Sequence, residues 1–449
     1  MPVHKIHLLY TVLFTFFIII TSCSVQKKLA GSANNLLKDP AIVNAHTGIS
    51  IFEPATQKYW YDYQADKYFI PASNTKIPTC YAAMKYLGDS LPAIRYYEND
   101  TALFLIPCGD PTLLHPDFKE QPFIDFCKQR NKKIFITDTN WMDFPFGSGW
   151  SWDDYNDSYA AERSPLPVYG NVIKWIQTQT LEKPDGINEQ LVPSVFSEPE
   201  VNWDVNFDTQ SRDSVFSVRR SPDSNSYIIY QGKEKYLEQD VPFITHGLRT
   251  ALDLLRDTIG KDIGINRGIP FTNELRTLYS RPVDSLLRPL MYHSDNFFAE
   301  QVLLMVSNKL TGTMNDEKII DTLLKSDFND LPQKPRWVDG SGLSRYNLFS
   351  PRDFVTILNK MKTEFGMKRI QVIFPTGGSG TMQHYFKNDS SYIYAKTGSL
   401  SGVVALSGYL YTRKGKLLIF SIIINNHQTS PGAIRTAIEN FLRNLRNRY

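Results

Sequence analysis

Three short runs in this 449-residue chain hold residue types that, brought together, do acyl-transfer chemistry: Ser73-Asn74-Thr75-Lys76, Ser294-Asp295-Asn296 and Lys396-Thr397-Gly398-Ser399. A serine hydroxyl is a weak nucleophile until a base takes its proton. On a helix, positions i and i+3 share a face, so Lys76 can present its amine to Ser73 within one turn. Lysine serves as that base once its pKa falls, which burial and a second cation both promote, and Lys396 is the candidate second cation. Ser294 adds a hydroxyl able to relay a proton between Lys76 and a leaving amine, and Asn296 can hold Lys76 and a substrate amide. Lys396 and Thr397 offer a cation and a hydroxyl to a substrate carboxylate. Gly398 leaves room for a substrate backbone along the strand edge, and the backbone N–H groups of Ser73 and Ser399 are the expected oxyanion donors.

Each run alone is weak, since Ser24 to Lys27 and Ser32 to Asn34 repeat two of the spacings elsewhere in the chain, and isolated serines of this kind commonly cap helices or turns. Context separates the set. Pro71-Ala72 leads into a predicted helix from Ser73 to Leu87 with Ile77, Cys80, Tyr81, Met84 and Leu87 spaced by three and four. Pro78 falls early enough in it to cost little. The second run opens a predicted helix from Asn296 to Leu310, and the third closes a predicted strand from Tyr392 to Lys396.

Around these motifs the patterning predicts strands at Ala41 to Ile51, Lys58 to Ile70, Val403 to Tyr411 and Leu417 to Ile424, the last two joined by Arg413-Lys414-Gly415-Lys416. Helices are expected from Pro351 to Phe365 and from Ala433 to Leu445. The class is therefore α/β (α+β), an antiparallel sheet flanked by helices. From Ser90 to Arg281 short strands and Pro, Asp and Ser breakers prevail, as in inserted material, with helical spacing returning from Phe243 to Ile259. Within it, the aromatic cluster from Trp141 to Tyr159 fits a ligand wall or a core, and core is the expectation, because aromatic rings are mostly buried.

Composition narrows the partners. With 49 Lys+Arg against 46 Asp+Glu, 42% apolar and 21% charged residues, the chain is ordinary globular protein with no basic footprint for nucleic acid. The length allows about two to four domains. No Cys or His spacing marks a metal site, and the proposed chemistry needs no cofactor. Lys5 precedes an uncharged run from Leu8 to Ile20, too short for a span of about 20 residues and read as an export signal over residues 1–22. Ile20-Thr21-Ser22-Cys23 resembles the bacterial lipobox, which implies lipidation of Cys23 and a membrane contact through acyl chains only. Cys80, Cys108 and Cys127 then remain, allowing at most one disulfide.

The motif set is that of class A β-lactamases and penicillin-binding proteins. Longer strings narrow the resemblance: Pro71 to Lys76, Ser294 to Asn296 with Ala299-Glu300-Gln301, Asp339 to Leu348, and Ala395 to Leu400 resemble the penicillin-binding protein 4 family of D-alanyl-D-alanine carboxypeptidases and endopeptidases. Gly109 to Leu113 and Trp150 to Asp154 resemble that family's insertion landmarks. The resemblance implies a β-lactamase/transpeptidase-like catalytic domain (residues 23–88 and 277–449), with inserted domain II (89–167 and 238–276) and inserted domain III (168–237), both mostly β. It also implies acylation of Ser73 by peptidoglycan stem peptides, β-lactams as covalent inhibitors and a contact to a diamino acid near Asp153 or Asp154; the lipobox, atypical of the family's soluble periplasmic members, implies instead a periplasm-facing enzyme lipid-anchored at the cell envelope, with the outer membrane expected. The segment Thr376 to Thr381 departs from the family's usual form. A β-lactamase or esterase on the same fold, and a non-catalytic wall-binding lipoprotein, are the alternatives; oligomeric state is not legible.

Overall fold

The computed structural model describes residues 29–182, 190–208, 215–268 and 275–449. The export segment, Cys23 and the SxxK spacing at Ser24 to Lys27 lie outside them. A five-stranded antiparallel sheet carries the site: β1 (His46–Glu53), β2 (Lys58–Tyr63), β14 (Ile393–Leu400), β15 (Val403–Tyr411) and β16 (Leu417–Asn425), in the order β14-β15-β16-β1-β2. β15 and β16 are almost continuously buried because helices cover both faces of the sheet. Successive side chains alternate between those faces. Val404, Leu406, Phe420 and Ile422 join α1 (residues 29–37) and α9 (Pro431–Arg448) in one core, while Ala405, Tyr409, Ile419 and Ile423 join a core built on α2 (Lys76–Tyr86), α5 (Val283–Tyr292), α6 (Asn296–Thr311), α7 (Asp316–Lys325) and α8 (Pro351–Ile373).

Local chemistry sets the helix ends. The Asp295 carboxylate accepts the Phe298 N–H at the start of α6, and Gly312 ends it in the left-handed region. Ser350 and Asp353 form a reciprocal capping box at α8. That helix runs past the expected Phe365 end to Ile373, with a break at Gly366. α2 is buried from Lys76 to Met84 on every side, where one apolar face was expected. Two further differences bear on the site. Ser73 lies in a 3-10 turn, Ala72–Thr75, before α2 begins, and the KTG run lies inside β14, which extends to Leu400 instead of stopping at Lys396.

Among the described residues, the inserted region holds three sheets. β3 (Ser90–Glu98), β4 (Ala102–Pro107), β5 (Lys133–Ile136), β12 (Ile263–Ile265) and β13 (Arg276–Pro282) form the largest, with α3 (Pro122–Lys128) and α4 (Arg249–Ile259). β6 (Val172–Glu182), β7 (Gln190–Glu198) and β11 (Tyr236–Pro242) form another, and β8 (Val205–Asp208), β9 (Ser217–Arg220) and β10 (Tyr227–Tyr230) the third. β13, which ends at Pro282, pairs with β3, and β11 pairs with β6. One apolar cluster, from Ile94 and Leu105 to Trp175, Tyr227 and Phe243, spans all three sheets.

The aromatic expectation fails. Trp152 is 85% exposed and Phe144 76%, with Phe146 and Tyr159 also exposed. Trp141, Trp150 and Tyr155 are half-buried, and the segment meets the catalytic unit through polar contacts, Trp150 Nε1 on Asp339 and the Tyr159 carbonyl on Asn296. Cys80, Cys108 and Cys127 are buried and unpaired. No helix among the described residues is long and apolar enough to cross a membrane.

Candidate active site

The turn Ala72–Thr75 places Ser73 Oγ 3.0 Å from Lys76 Nζ. A 3-10 turn eclipses i and i+3, so the departure from α-helix brings the two closer in register. Ala72 takes a positive φ of 49°, and Gly342 presses on it: a Cβ at Gly342 (φ 84°) would stand 1.9 Å from the Ala72 carbonyl oxygen. Only glycine fits there. Lys76 Nζ donates also to Asn296 Oδ1 (2.6 Å) and to the Ser341 carbonyl (2.8 Å), so its three N–H bonds have three acceptors.

Lys76 is fully buried, and desolvation lowers its pKa to about 8 against the pull of Asp295, Asp339 and Glu300. Lys396, equally buried, is pushed well below the ordinary lysine value, by desolvation first and by the Lys76 charge second. Two buried ammonium groups so placed disfavour each other's charge. Lys396 Nζ donates to Ser294 Oγ (2.7 Å) and to the Thr397 carbonyl (2.7 Å). Here the expected relay geometry is corrected: Ser294 is held by Lys396 and not by Lys76, whose donors are already taken. Ser294 has a left-handed φ of 60°, a strained backbone costing on the order of 1–3 kcal/mol and typical of functional positions.

β14 is the sheet edge nearest the turn. Ala395 N–H bonds outward to the Pro375 carbonyl, and since backbone groups alternate along a strand, the Ser399 N–H points to the same open side. Gly398 faces the turn closely: a Cβ there would lie 2.7 Å from the Pro71 carbonyl oxygen and 3.2 Å from the Ser73 nitrogen. Thr397 and Ser399 turn their side chains to other partners. Thr397 Oγ1 donates to Thr381 Oγ1 (2.7 Å), and Arg435 Nη2 on α9 donates to Ser399 Oγ (2.5 Å).

A cavity of about 560 Å³ opens at Ser73 and is lined by Asp154, Tyr159, Asn296, Arg345 and Ser399 among others. Asp154 and Asp153 part company: Asp154 lines the cavity, whereas Asp153 is exposed, takes the Ser151 hydroxyl (2.7 Å) and does not line it. Their successive positions in a 3-10 turn aim them differently. Asn296 Nδ2 donates to the Tyr159 carbonyl (3.0 Å), so the inserted region itself orients the amide that holds Lys76.

Several contributors were not singled out by spacing. The Ser341 carbonyl is fixed by its own N–H, which donates to Glu300 Oε1 (2.7 Å). Asp339 gathers Gly342 N–H (2.8 Å), Ser344 N–H (2.6 Å), Asn347 Nδ2 (2.7 Å) and Trp150 Nε1 (3.0 Å), shaping the loop beneath Lys76. The Asp-Gly-Ser-Gly sequence was the available signal for that loop. Arg435 had none, standing on the polar side of an amphipathic helix. Arg163, 2% exposed, pairs with Asp143 (2.9 Å), Asp316 (2.5 Å) and Glu300 (3.5 Å), tying the insertion to α6 and α7. Broken on one side, such a buried network would leave uncompensated charge.

Against known proteins, the profile of the D-Ala-D-Ala carboxypeptidase 3 (S13) family matches residues 29–445. The chain is similar to the D-alanyl-D-alanine carboxypeptidase of Actinomadura sp. (strain R39), 25% identical over 90% of this chain and 82% of that one. It is similar also to the D-alanyl-D-alanine carboxypeptidase DacB of Haemophilus influenzae, 24% identical over 86% and 87%. Among solved structures, penicillin-binding protein 4 (dacB) from Haemophilus influenzae superposes with a TM-score of 0.70 at 20% identity, covering 92% of this chain and 98% of that one.

Proposed function

The chain belongs to the D-Ala-D-Ala carboxypeptidase 3 (S13) family and is a serine-type peptidoglycan DD-peptidase, and from that premise we propose the part each residue plays. Ser73 Oγ attacks the carbonyl carbon of the penultimate D-Ala while its proton passes to Lys76 Nζ. The oxyanion forms between the N–H groups of Ser73 and Ser399. Collapse breaks the C–N bond, and Ser294 passes its proton to the leaving amine, drawing a replacement from Lys396, its partner at 2.7 Å. Water then attacks the ester and gives up a proton through Ser294 to Lys396, while Lys76 returns its proton to Ser73 Oγ as the C–O bond breaks.

The observation that carries this reading is Lys76: fully buried, 3.0 Å from Ser73 Oγ, and held by Asn296 and Ser341. In the free enzyme the proton resides best on Lys76, which has three acceptors. A substrate carboxylate arriving at Lys396 and Thr397 raises the proton affinity of Lys396, and a charged Lys396 in turn expels the proton from Lys76. Substrate binding thus arms the base.

Digestion of purified muropeptides tests the activity. Monomer pentapeptide is expected to yield tetrapeptide and free D-Ala, with benzylpenicillin giving a long-lived adduct. Fast penicillin turnover would favour the β-lactamase alternative, and peptidoglycan binding without D-Ala release would favour the wall-binding scaffold.

We also propose action in the bacterial envelope from a lipid tether at Cys23, supported by the lipobox resemblance. Cys23→Ala is expected to move the protein from the membrane to the soluble fraction; unchanged fractionation would refute the tether.

A further inference from the structure

In the mechanism above the leaving amine meets Ser294 and its carboxylate meets Lys396 and Thr397, and none of these three lines the cavity at Ser73. That cavity therefore takes the other side of the scissile bond, the acyl part of the stem peptide. Its lining joins Ser73 and Ser399 to Gly149, Ser151 and Asp154 of the inserted region. A peptide residue spans at most about 3.3–3.6 Å, so a stem of about four residues brings the sugar that carries it within about 14 Å of the attacked carbonyl. The glycan has to emerge at the rim of this cavity.

That rim is aromatic. Trp152, 85% exposed, directly follows Ser151, and the exposed Tyr346 lays its ring on Gly149, where a Cβ would stand 2.6 Å from Tyr346 Cδ2. Phe146, also exposed, meets Trp150 edge-on with ring centroids 6.2 Å apart. These rings do not sit on a loose tip. Trp152 begins the 3-10 turn Trp152–Asn156. Trp150 Nε1 ties the chain before it to Asp339 (3.0 Å), and Asn156 ties the turn to β9, accepting the Arg220 N–H (2.8 Å) and donating to the Val218 carbonyl (3.2 Å). Large rings held in water on a fixed backbone forgo the stabilisation of burial, and clustered beside a cleft they mark an interaction surface.

The polar groups among the rings select the occupant. Asp153 and Asp157 are exposed carboxylates on either side of the turn. They repel an anionic lipid surface, and acidic residues are depleted at protein interfaces. Flat aromatic faces interleaved with acceptors suit an uncharged amino-sugar, whose C–H face lies on a ring while its hydroxyl and acetamido N–H groups donate to carboxylates.

We propose that this rim is a glycan platform: the sugar bearing the stem peptide stacks on Trp152, and the enzyme thereby favours stem peptides still attached to their glycan. The inference rests on the DD-peptidase reading and extends its substrate beyond the peptide.

The test measures KM and kcat for D-Ala release from disaccharide-pentapeptide and from the same pentapeptide without sugar, in wild type, Trp152→Ala, Trp152→Leu and Trp152→Tyr. Penicillin labelling, expected unchanged in all three variants, reports an intact Ser73 site. For wild type, KM should be lower by about fivefold or more on the glycosylated substrate with kcat within about twofold, since stacking at the rim binds ground state and transition state alike. Trp152→Ala and Trp152→Leu should bring the two KM values together by raising only that of the disaccharide-pentapeptide, whereas Trp152→Tyr should keep most of the difference. Should Trp152→Ala lose the label, Trp152→Leu is read in its place. Equal KM values in wild type overturn the inference, as does a preference that survives in Trp152→Ala, or one that Trp152→Leu keeps as fully as Trp152→Tyr. Trp152-dependent dimerisation in sedimentation, or Trp152-dependent binding to phosphatidylglycerol vesicles, without a glycan preference would assign the rim to a second copy or to the membrane and overturn it equally. Release of D-Ala from neither substrate would count instead against the DD-peptidase reading.

Discussion

Ser73→Ala is expected to abolish labelling by fluorescent penicillin and to lower D-Ala release by roughly 10⁴-fold or more, the scale on which removal of a covalent nucleophile acts. The loss should be chemical and not structural. Ser73 is half-buried and contributes one of three acceptors to Lys76 Nζ; Asn296 Oδ1 and the Ser341 carbonyl remain. The turn around it is held by contacts that do not use the hydroxyl: Thr75 Oγ1 donates to the Ala72 carbonyl (2.9 Å), Asn74 N–H to the Pro71 carbonyl (3.2 Å), and Asn74 Nδ2 to Ser407 Oγ (3.0 Å). The melting temperature should accordingly stay within a few degrees of wild type. A folded Ser73→Ala protein that still takes the label at undiminished intensity would sink the assignment.

How much of this was legible depends on which interactions are local. The strands Val403 to Tyr411 and Leu417 onward follow from their apolar runs and the Arg413 to Lys416 turn, and the structure places them there. The Ser73 to Lys76 contact is also local, fixed by three positions of chain. The extent of β14 was not legible, because Gly398 breaks the strand propensity that Thr397 begins, and Gly398 and Ser399 are strand by pairing with Ala405 and Val404. Ser294's partner was missed for a related reason: Lys76 and Lys396 are both far from it in sequence, and which amine reaches it depends on a left-handed backbone angle that spacing does not encode. The exposed Trp152 and Phe144 reversed a composition rule, since their segment is anchored instead by Trp150 on Asp339 and Arg163 on three carboxylates.

The insertion does more than occupy length. Tyr159 orients Asn296, Trp150 helps hold the Asp339 loop, and Gln301 Nε2 on α6 binds the carbonyls of Gly109 (3.1 Å) and Ser164 (3.0 Å). Every one of these contacts ends on a residue that touches Lys76 or on the element carrying it. The base is thereby positioned from both sides, by the Asp339 loop through the Ser341 carbonyl and by the inserted region through Asn296.

Lys76→Met, close to volume-conserving, is expected to slow acylation by about 10³-fold, within the usual 10²- to 10⁴-fold range of a general base. Its pH signature separates that role from a structural one. With the Lys76 pKa lowered to about 8 by desolvation, the free enzyme is mostly protonated at pH 7 and only the deprotonated amine accepts the Ser73 proton. The second-order rate constant for penicillin acylation should rise nearly tenfold per pH unit below about pH 8 and level off above it, since this constant reports groups of the free enzyme. Lys76→Met should lack that rising limb. A substrate with a carboxylate shifts charge to Lys396 and so lowers the apparent pKa of the base in the bound state; kcat for a carboxylate-bearing peptide or thioester should level off at lower pH than for the same ester without the carboxylate. Steady-state kinetics from pH 6 to 9 on the two substrates checks this, and coincident profiles, or a limb that survives in Lys76→Met, would show that Lys76 is not the base armed by Lys396.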